Sequence, residues 1–208
     1  MLLTVGYCQG ETPRSRCVVL IAAERCIVSR EQNSKLGGQN DALGMRDTII
    51  ESARLRLILE STEALLARVE DMSPAERAEV SPVWLERLRT VEPSPWTHGF
   101  ALVERETGLI VGSCAYKGPP DSMGVVELAY GVDPSRRGLG YAKEAASALV
   151  DYALAAGVRL VRAHTRPANV ASERVLLGCG FERVGQVIDP EDGLVSRWER
   201  SDKNSRPT

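Results

Sequence analysis

The chain has 208 residues, of which 43% are hydrophobic and 26% charged, with a formal net charge of -2. Such a length suits one domain or one domain with an extension, and the balance is that of a soluble globular protein; the charge argues against a general nucleic-acid binder, which is usually basic. No apolar run reaches the ~20 residues of a membrane span, and the best candidate, residues 17–23, is too short and too far from the terminus for a signal peptide, so a cytoplasmic protein without membrane contact is expected.

Residues 1–48 read as an extension. They hold three of the five cysteines and a Gly-, Asn-, Gln- and Ser-rich stretch without helical or strand period, the signature of a disordered linker. Met45 stands just before the regular pattern, so a translation start there is a second reading of the extension; a native peptide from residues 16–35 would exclude it. No two cysteines form a C-x-x-C pair and no His lies near the first three, so reduced thiols and no metal site are expected.

From Ile49 the pattern is regular. Leu55, Leu57 and Leu59 alternate in a strand spanning Ser52 to Leu59. Ser61 opens a helix carrying Leu65, Leu66 and Val69; Ser73-Pro-Ala-Glu76 is a capping box with proline at the first helical position; Ser81-Pro82 opens a third helix with Trp84, Leu85 and Leu88 on its apolar face. A meander follows, with strands Phe100 to Glu104 and Leu109 to Tyr116 around a turn ending at Gly108, then a strand from Val125 to Val132. A long alanine-rich helix is expected from Leu139 to Ala156, a strand from Val158 to Thr165, a short helix from Asn169 to Gly178, and a closing hairpin of Phe181 to Ile188 with Leu194 to Glu199. Residues 201–208 form a polar tail.

The stretch Val132-Asp-Pro-Ser-Arg-Arg-Gly-Leu-Gly-Tyr-Ala142 joins strand to helix. Two glycines let the backbone come close to a ligand, the first helical turn offers unpaired N–H groups, and Arg136 and Arg137 add charge. Together these make a cradle for a phosphate or pyrophosphate. A Rossmann fingerprint would need a third glycine where Lys143 stands.

Arg137-Gly-Leu-Gly-Tyr-Ala142 also resembles the (Q/R)-x-x-G-x-(G/A) signature of the GCN5-related N-acetyltransferases. The resemblance extends to Glu51–Leu57, Glu127–Val132, Asn169–Ser172 and Gly178–Phe181 in family order, and is nearest to the ribosomal-protein-alanine acetyltransferase-like branch. It implies an α/β (α+β) fold over residues 49–200: one domain with a twisted, mostly antiparallel mixed sheet between helices on both faces. It implies acetyl-CoA as co-substrate, with Ala129, Tyr130 and Val132 lining the pantetheine arm. Arg137, Gly138, Leu139, Gly140, Tyr141 and Ala142 would hold the pyrophosphate, and Asn169 would touch the arm. Helices between Leu59 and Val91 would wall the acceptor; their acidic side chains could equally be a solvated face.

Acetyl transfer to an amine requires an oriented pair of reactants, a base for the ammonium proton and an oxyanion stabiliser. Glu127 is the candidate base; it could instead pair with Arg159 or Arg162 on the next strand. His164 and His98 are reserve bases, each alternatively a structural histidine. Ser172 is the candidate acid for the departing thiolate. Asn169 is also a natural N-cap, and the tyrosine acid that many relatives carry seven residues later is here Leu176. Cys114 and Cys179 read as core residues. The expected reaction is direct transfer in a ternary complex, to a peptide N-terminal α-amine or a small-molecule amine. A non-catalytic acyl-CoA-binding module is the alternative, and a homodimer is left open.

Overall fold

The computed structural model describes residues 48–201 apart from 79, 81, 190 and 191, and omits the side chains of 76 and 83. The extension, its cysteines and the polar tail beyond residue 201 lie outside the described residues.

Strands β1 (Ile49–Glu51), β2 (Leu55–Leu59), β3 (Phe100–Glu104), β4 (Ile110–Tyr116), β5 (Val125–Val132), β6 (Leu160–Thr165), β7 (Glu182–Asp189) and β8 (Gly193–Ser201) form one sheet in the order β1-β2-β3-β4-β5-β6-β8-β7. Every neighbouring pair is antiparallel except β5 and β6. The helices are α1 (Thr62–Glu70), α2 (Pro74–Ala78), α3 (Pro82–Thr90), α4 (Tyr141–Ala155) and α5 (Val170–Gly178), with a 3-10 turn at Pro134–Arg136. This is the mixed α/β domain that the sequence implied.

The main core lies between the sheet and α4. Ala145, Ala146, Leu149, Val150 and Ala153, spaced to fall on one helical face, are fully buried against Val126, Leu128 and Tyr130 of β5 and Val161 and Ala163 of β6. Three of those five helix residues are alanines, so the helix axis approaches the sheet closely. Each large apolar side chain buried here, such as Leu149, contributes about 1.5–3 kcal/mol. On the other side, α1 and α3 pack on each other through Leu65, Val69, Trp84 and Leu88. Ser61 caps α1 by accepting from the Ala64 N–H at 3.2 Å. The reciprocal half of the capping box at Ser73 would need the Glu76 side chain, which lies outside the described residues.

The strand expected from Ser52 to Leu59 is shorter: β2 begins at Leu55, and Ser52–Arg54 form the tight turn that joins it to the preceding β1, because the Ser52 hydroxyl accepts from the Leu55 N–H at 3.1 Å while the Ser52 N–H donates to the Leu55 carbonyl at 2.9 Å. A serine can turn a chain through such local bonds with no glycine or proline to announce it. The long helix starts at Tyr141 rather than Leu139, since the left-handed Gly140 (φ +86°) stands as its N-cap. The other strand and helix boundaries lie within a few residues of the expected ones.

Candidate active site

The loop expected to cradle a phosphate is shaped by its main chain. Gly138 (φ +78°) and Gly140 (φ +86°) both lie in the left-handed region that favours glycine. Gly140 offers no side chain to cap α4. The first-turn N–H groups of that 15-residue helix therefore face outward with its positive dipole end. Tyr141 is buried, while Arg137, Gly138, Leu139 and Gly140 are exposed and Ala142 is half-buried.

The loop is held from behind by a residue the sequence reading missed. Arg54, at the β1–β2 turn, donates to the Leu139 carbonyl at 3.0 Å and to Glu144 Oε2 at 2.9 Å, and its guanidinium lies 4.9 Å from the Tyr141 ring centroid. Glu144 also accepts from the Ser52 hydroxyl at 2.8 Å. Burial works against the charged form of Glu144, but the Arg54 and Ser52 bonds outweigh it and hold its carboxyl below the ordinary range. The Tyr141 hydroxyl donates to Glu104 of β3, so the helix start is fastened to the sheet.

A gap opens from this cradle into the sheet. Strands β5 and β6 pair only over Val125–Leu160, Val126–Val161 and Glu127–Arg162. The Lys117 N–H donates to the Glu127 carbonyl and the Asp133 N–H to the Val111 carbonyl, so odd-numbered residues of β5 turn their main chain to β4. Leu128 therefore turns its main chain to β6, its N–H in the last β5–β6 pair, while Tyr130 and Val132 turn theirs toward the gap, beyond the last β6 partner. The Val132 carbonyl is reached there by Arg137 Nε at 3.2 Å. Ala129 spends its main chain on β4, and its small side chain is buried. Gly112 of β4 permits the close fit behind Val132: a Cβ there would overlap the Gly131 carbonyl and sit 3.0 Å from Val132 Cα.

At the inner end of the gap lies a buried ionic cluster. Glu127, whose side chain is 16% exposed, accepts from Lys117 Nζ and lies 2.7 Å from His164 Nδ1. Burial raises its pKa, but the Lys117 charge and the His164 bond together outweigh that, and the carboxyl is held below the ordinary range. The expected alternative partners are engaged elsewhere. Arg162 pairs with Glu199 of β8 at 2.9 Å, and Arg159 Nε donates to the Met123 carbonyl at 2.8 Å. Lys117 carried no signal in the sequence; it becomes visible only in the β4–β5 register, which places it opposite Glu127.

The two histidines differ. His98 is buried with both ring nitrogens taken, by Thr62 Oγ1 at 3.1 Å and Thr97 Oγ1 at 2.9 Å, and burial lowers its pKa against the pull of Glu63. His164 has Nδ1 on Glu127, while its buried Nε2 has no partner.

The α5 end of the gap has the expected cap. Asn169 Oδ1 accepts from the Ser172 N–H at 3.2 Å, and the preceding Ala168 sits at φ +68°, which is costly for a residue with a Cβ. Ser172 is buried, and its carbonyl accepts from the Tyr130 hydroxyl at 3.3 Å. Burial pushes the Tyr130 phenol up, and Leu176 is core. A cleft on the opposite sheet face is lined by Trp84 and Arg87 of α3, His98, Ala115 and Lys117. Beside Gly99 of this cleft, Glu60 pairs through Oε1 with Arg68 at 2.8 Å and leaves Oε2 buried without a partner. Among the described residues no group of three His, Cys, Asp or Glu side chains could hold a metal, and no helix is long and apolar enough to cross a membrane.

Comparison with known proteins decides the family, because residues 55–182 match the model of the acetyltransferase (GNAT) domain. The chain belongs to the GNAT family. Within that family it is 28% identical over 106 residues to the uncharacterized N-acetyltransferase YjdG of Bacillus subtilis, covering 49% of this chain and 60% of that one. It is 27% identical over 93 residues to the uncharacterized N-acetyltransferase p20 of Bacillus licheniformis, covering 44% and 52%. The alignments thus span 60% or less of the length of these relatives. Among solved structures, the ribosomal-protein-S5-alanine acetyltransferase of Vibrio fischeri superposes with a TM-score of 0.58 at 16% identity, over 77% of this chain and 100% of that one. RimL, a ribosomal L7/L12 α-N-protein acetyltransferase in complex with coenzyme A, gives 0.58 at 17%, over 74% and 98%. At these identities the structures establish a shared fold.

Proposed function

We propose that this GNAT domain transfers acetyl from acetyl-CoA to a primary amine by direct attack in a ternary complex. One observation carries the reading. The groove left where β5 parts from β6 begins at a main-chain cradle fit for a pyrophosphate and ends at an ionised, buried carboxylate. From Glu127 to Val132 the strand advances five residues, ~17 Å at about 3.3 Å each, enough to lay an extended pantetheine arm along it. N–H groups from Gly138 to Ala142 take the pyrophosphate. The gap-facing main chain of Tyr130 and Val132 pairs with the arm's amides, and Asn169 borders it from α5.

Proximity does most of the work, since a neutral amine and a thioester react readily once held in line. The ammonium proton leaves through the Lys117–Glu127–His164 cluster, with Glu127 the carboxylate first expected in that role. Ser172 protonates the thiolate as it departs. The unpartnered Glu60 oxygen beside the cleft suits an acceptor that arrives as a cation. Two of the similar folds are described as ribosomal-protein acetyltransferases and another, at TM-score 0.56 and 13% identity, as a spermidine N-acetyltransferase chimera. A peptide α-amine or a small amine is the acceptor we infer here.

A thiol-release assay over alanine- and serine-starting peptides and small amines, with mass confirmation of the product, tests this. Acetyl-CoA-dependent acetylation of at least one amine is expected. Tight acetyl-CoA binding with no acetylated product from any amine would instead establish a non-catalytic acyl-CoA-binding module.

A further inference from the structure

Within the proposed acetyl transfer, and resting on that reading, we infer that the proton is taken by Nε2 of His164, with Glu127 and Lys117 acting as positioning residues that fix its tautomer. Lys117 Nζ donates to Glu127 Oε1, and a carboxylate held by a lysine in a buried site stays ionised. An ionised carboxylate can only accept, so the 2.7 Å contact with His164 requires a proton on Nδ1. A neutral imidazole protonated at Nδ1 must carry its lone pair on Nε2. That nitrogen is buried, in a side chain only 9% exposed, and has no partner. Buried polar atoms are rarely left so, and those that are need completing by water or a ligand.

Position agrees with chemistry. The last β5–β6 pair is Glu127–Arg162, so His164, two residues further along β6, is level with Ala129 where the strands have separated. Alternation puts His164, Arg162 and Glu127 on one sheet face, the face of the acceptor cleft that Lys117 also lines. Glu127, by contrast, already has one oxygen bound by both Lys117 and His164, and is a weak base for that reason.

The charged groups around the ring are Glu127 of β5, Lys117 just past β4, Arg162 of β6, and Arg197 and Glu199 of β8. Arg162 and Glu199 neutralise each other at 2.9 Å. Arg197 lies opposite His164 in the β6–β8 register, and the Glu127 carboxylate faces the positive charge that the ring gains in the reaction. In the step itself the acceptor's N–H bond breaks and its proton bonds to Nε2. The freed nitrogen pair then attacks the thioester carbon, the C–S bond breaks with its electrons on sulfur, the nitrogen's second proton passes through the Ser172 hydroxyl to that sulfur, and the imidazolium later loses its proton to solvent.

Two measurements test this on the full chain. The first needs no activity: long-range proton–nitrogen NMR should find neutral His164 as the Nδ1–H tautomer, and Glu127→Gln should erase that preference. A wild-type Nε2–H tautomer overturns the inference even if acetylation is confirmed. The second uses whichever amine the wild type acetylates. His164→Ala should lose about 10²–10⁴-fold in kcat/KM, keep acetyl-CoA affinity by calorimetry, and regain rate with added imidazole. Glu127→Gln should gain nothing from imidazole. A His164→Gln protein that binds acetyl-CoA and turns over at the wild-type rate contradicts the inference and returns the proton to Glu127. If the wild type binds acetyl-CoA but acetylates no amine, the parent reading fails, and the tautomer still reports on the geometry.

Discussion

The two ends of the β5–β6 gap are built from different materials. The outer end is main chain: two left-handed glycines and a helix start, all within a few consecutive residues. The inner end is side chain: Lys117, just past β4, and Glu127 and His164, on β5 and β6, are 10 and 37 positions apart in the chain. The first kind of site tolerates side-chain change and fails when the backbone conformation is lost. The second fails when any one charge is removed, because the others stay buried.

That contrast sets an order of sensitivity. Lys117→Met should be the most damaging, since it leaves Glu127 buried without its cation; about 3 kcal/mol of stability should disappear at neutral pH in urea melts. The same cluster fixes a pH dependence. The folded pKa of Glu127 is depressed, so its ionised form stabilises the protein above the ordinary carboxylate range, and that contribution is lost as pH falls through the lowered value. Wild type and Glu127→Gln should therefore differ most near neutrality and converge in acid, as read from Tm against pH.

Gly112→Ala should come next, at about 2 kcal/mol, because its Cβ meets the Gly131 carbonyl rather than a side chain that could swing away. Gly140→Ala adds left-handed strain of about 1–2 kcal/mol and a 3.2 Å contact with Arg54 Nη2, so acetyl-CoA affinity should fall about tenfold or more. Gly138→Ala carries the strain without any neighbour within 4 Å, and should weaken binding less than Gly140→Ala does; equal effects would mean that Arg54 does not matter to the cradle. Smallest is Asn169→Ala, which removes a cap and should cost about 1 kcal/mol in thermal melts.

The same contrast explains what could be read before the fold was known. The cradle was legible because its glycines, arginines and helix start are contiguous, and so was the Asn169 cap, whose donor, the Ser172 N–H, is three residues away. Glu127 was legible as a strand residue, but its partners were not. Adjacent-strand logic pointed to Arg159 and Arg162, whereas the β8 pairing draws Arg162 to Glu199 and the β4 register delivers Lys117. Arg54 was hidden for a related reason: its turn is made by Ser52 side-chain bonds, and its partner Glu144 lies 90 residues on.

The cradle is the centre of the account, and calorimetry on the full chain tests it directly by comparing acetyl-CoA with acetyl-pantetheine, which keeps the thioester and arm but lacks the diphosphate. Single-site uptake of acetyl-CoA, with much weaker uptake of acetyl-pantetheine, is the result expected. No heat from acetyl-CoA, or equal affinity for the two, would contradict it.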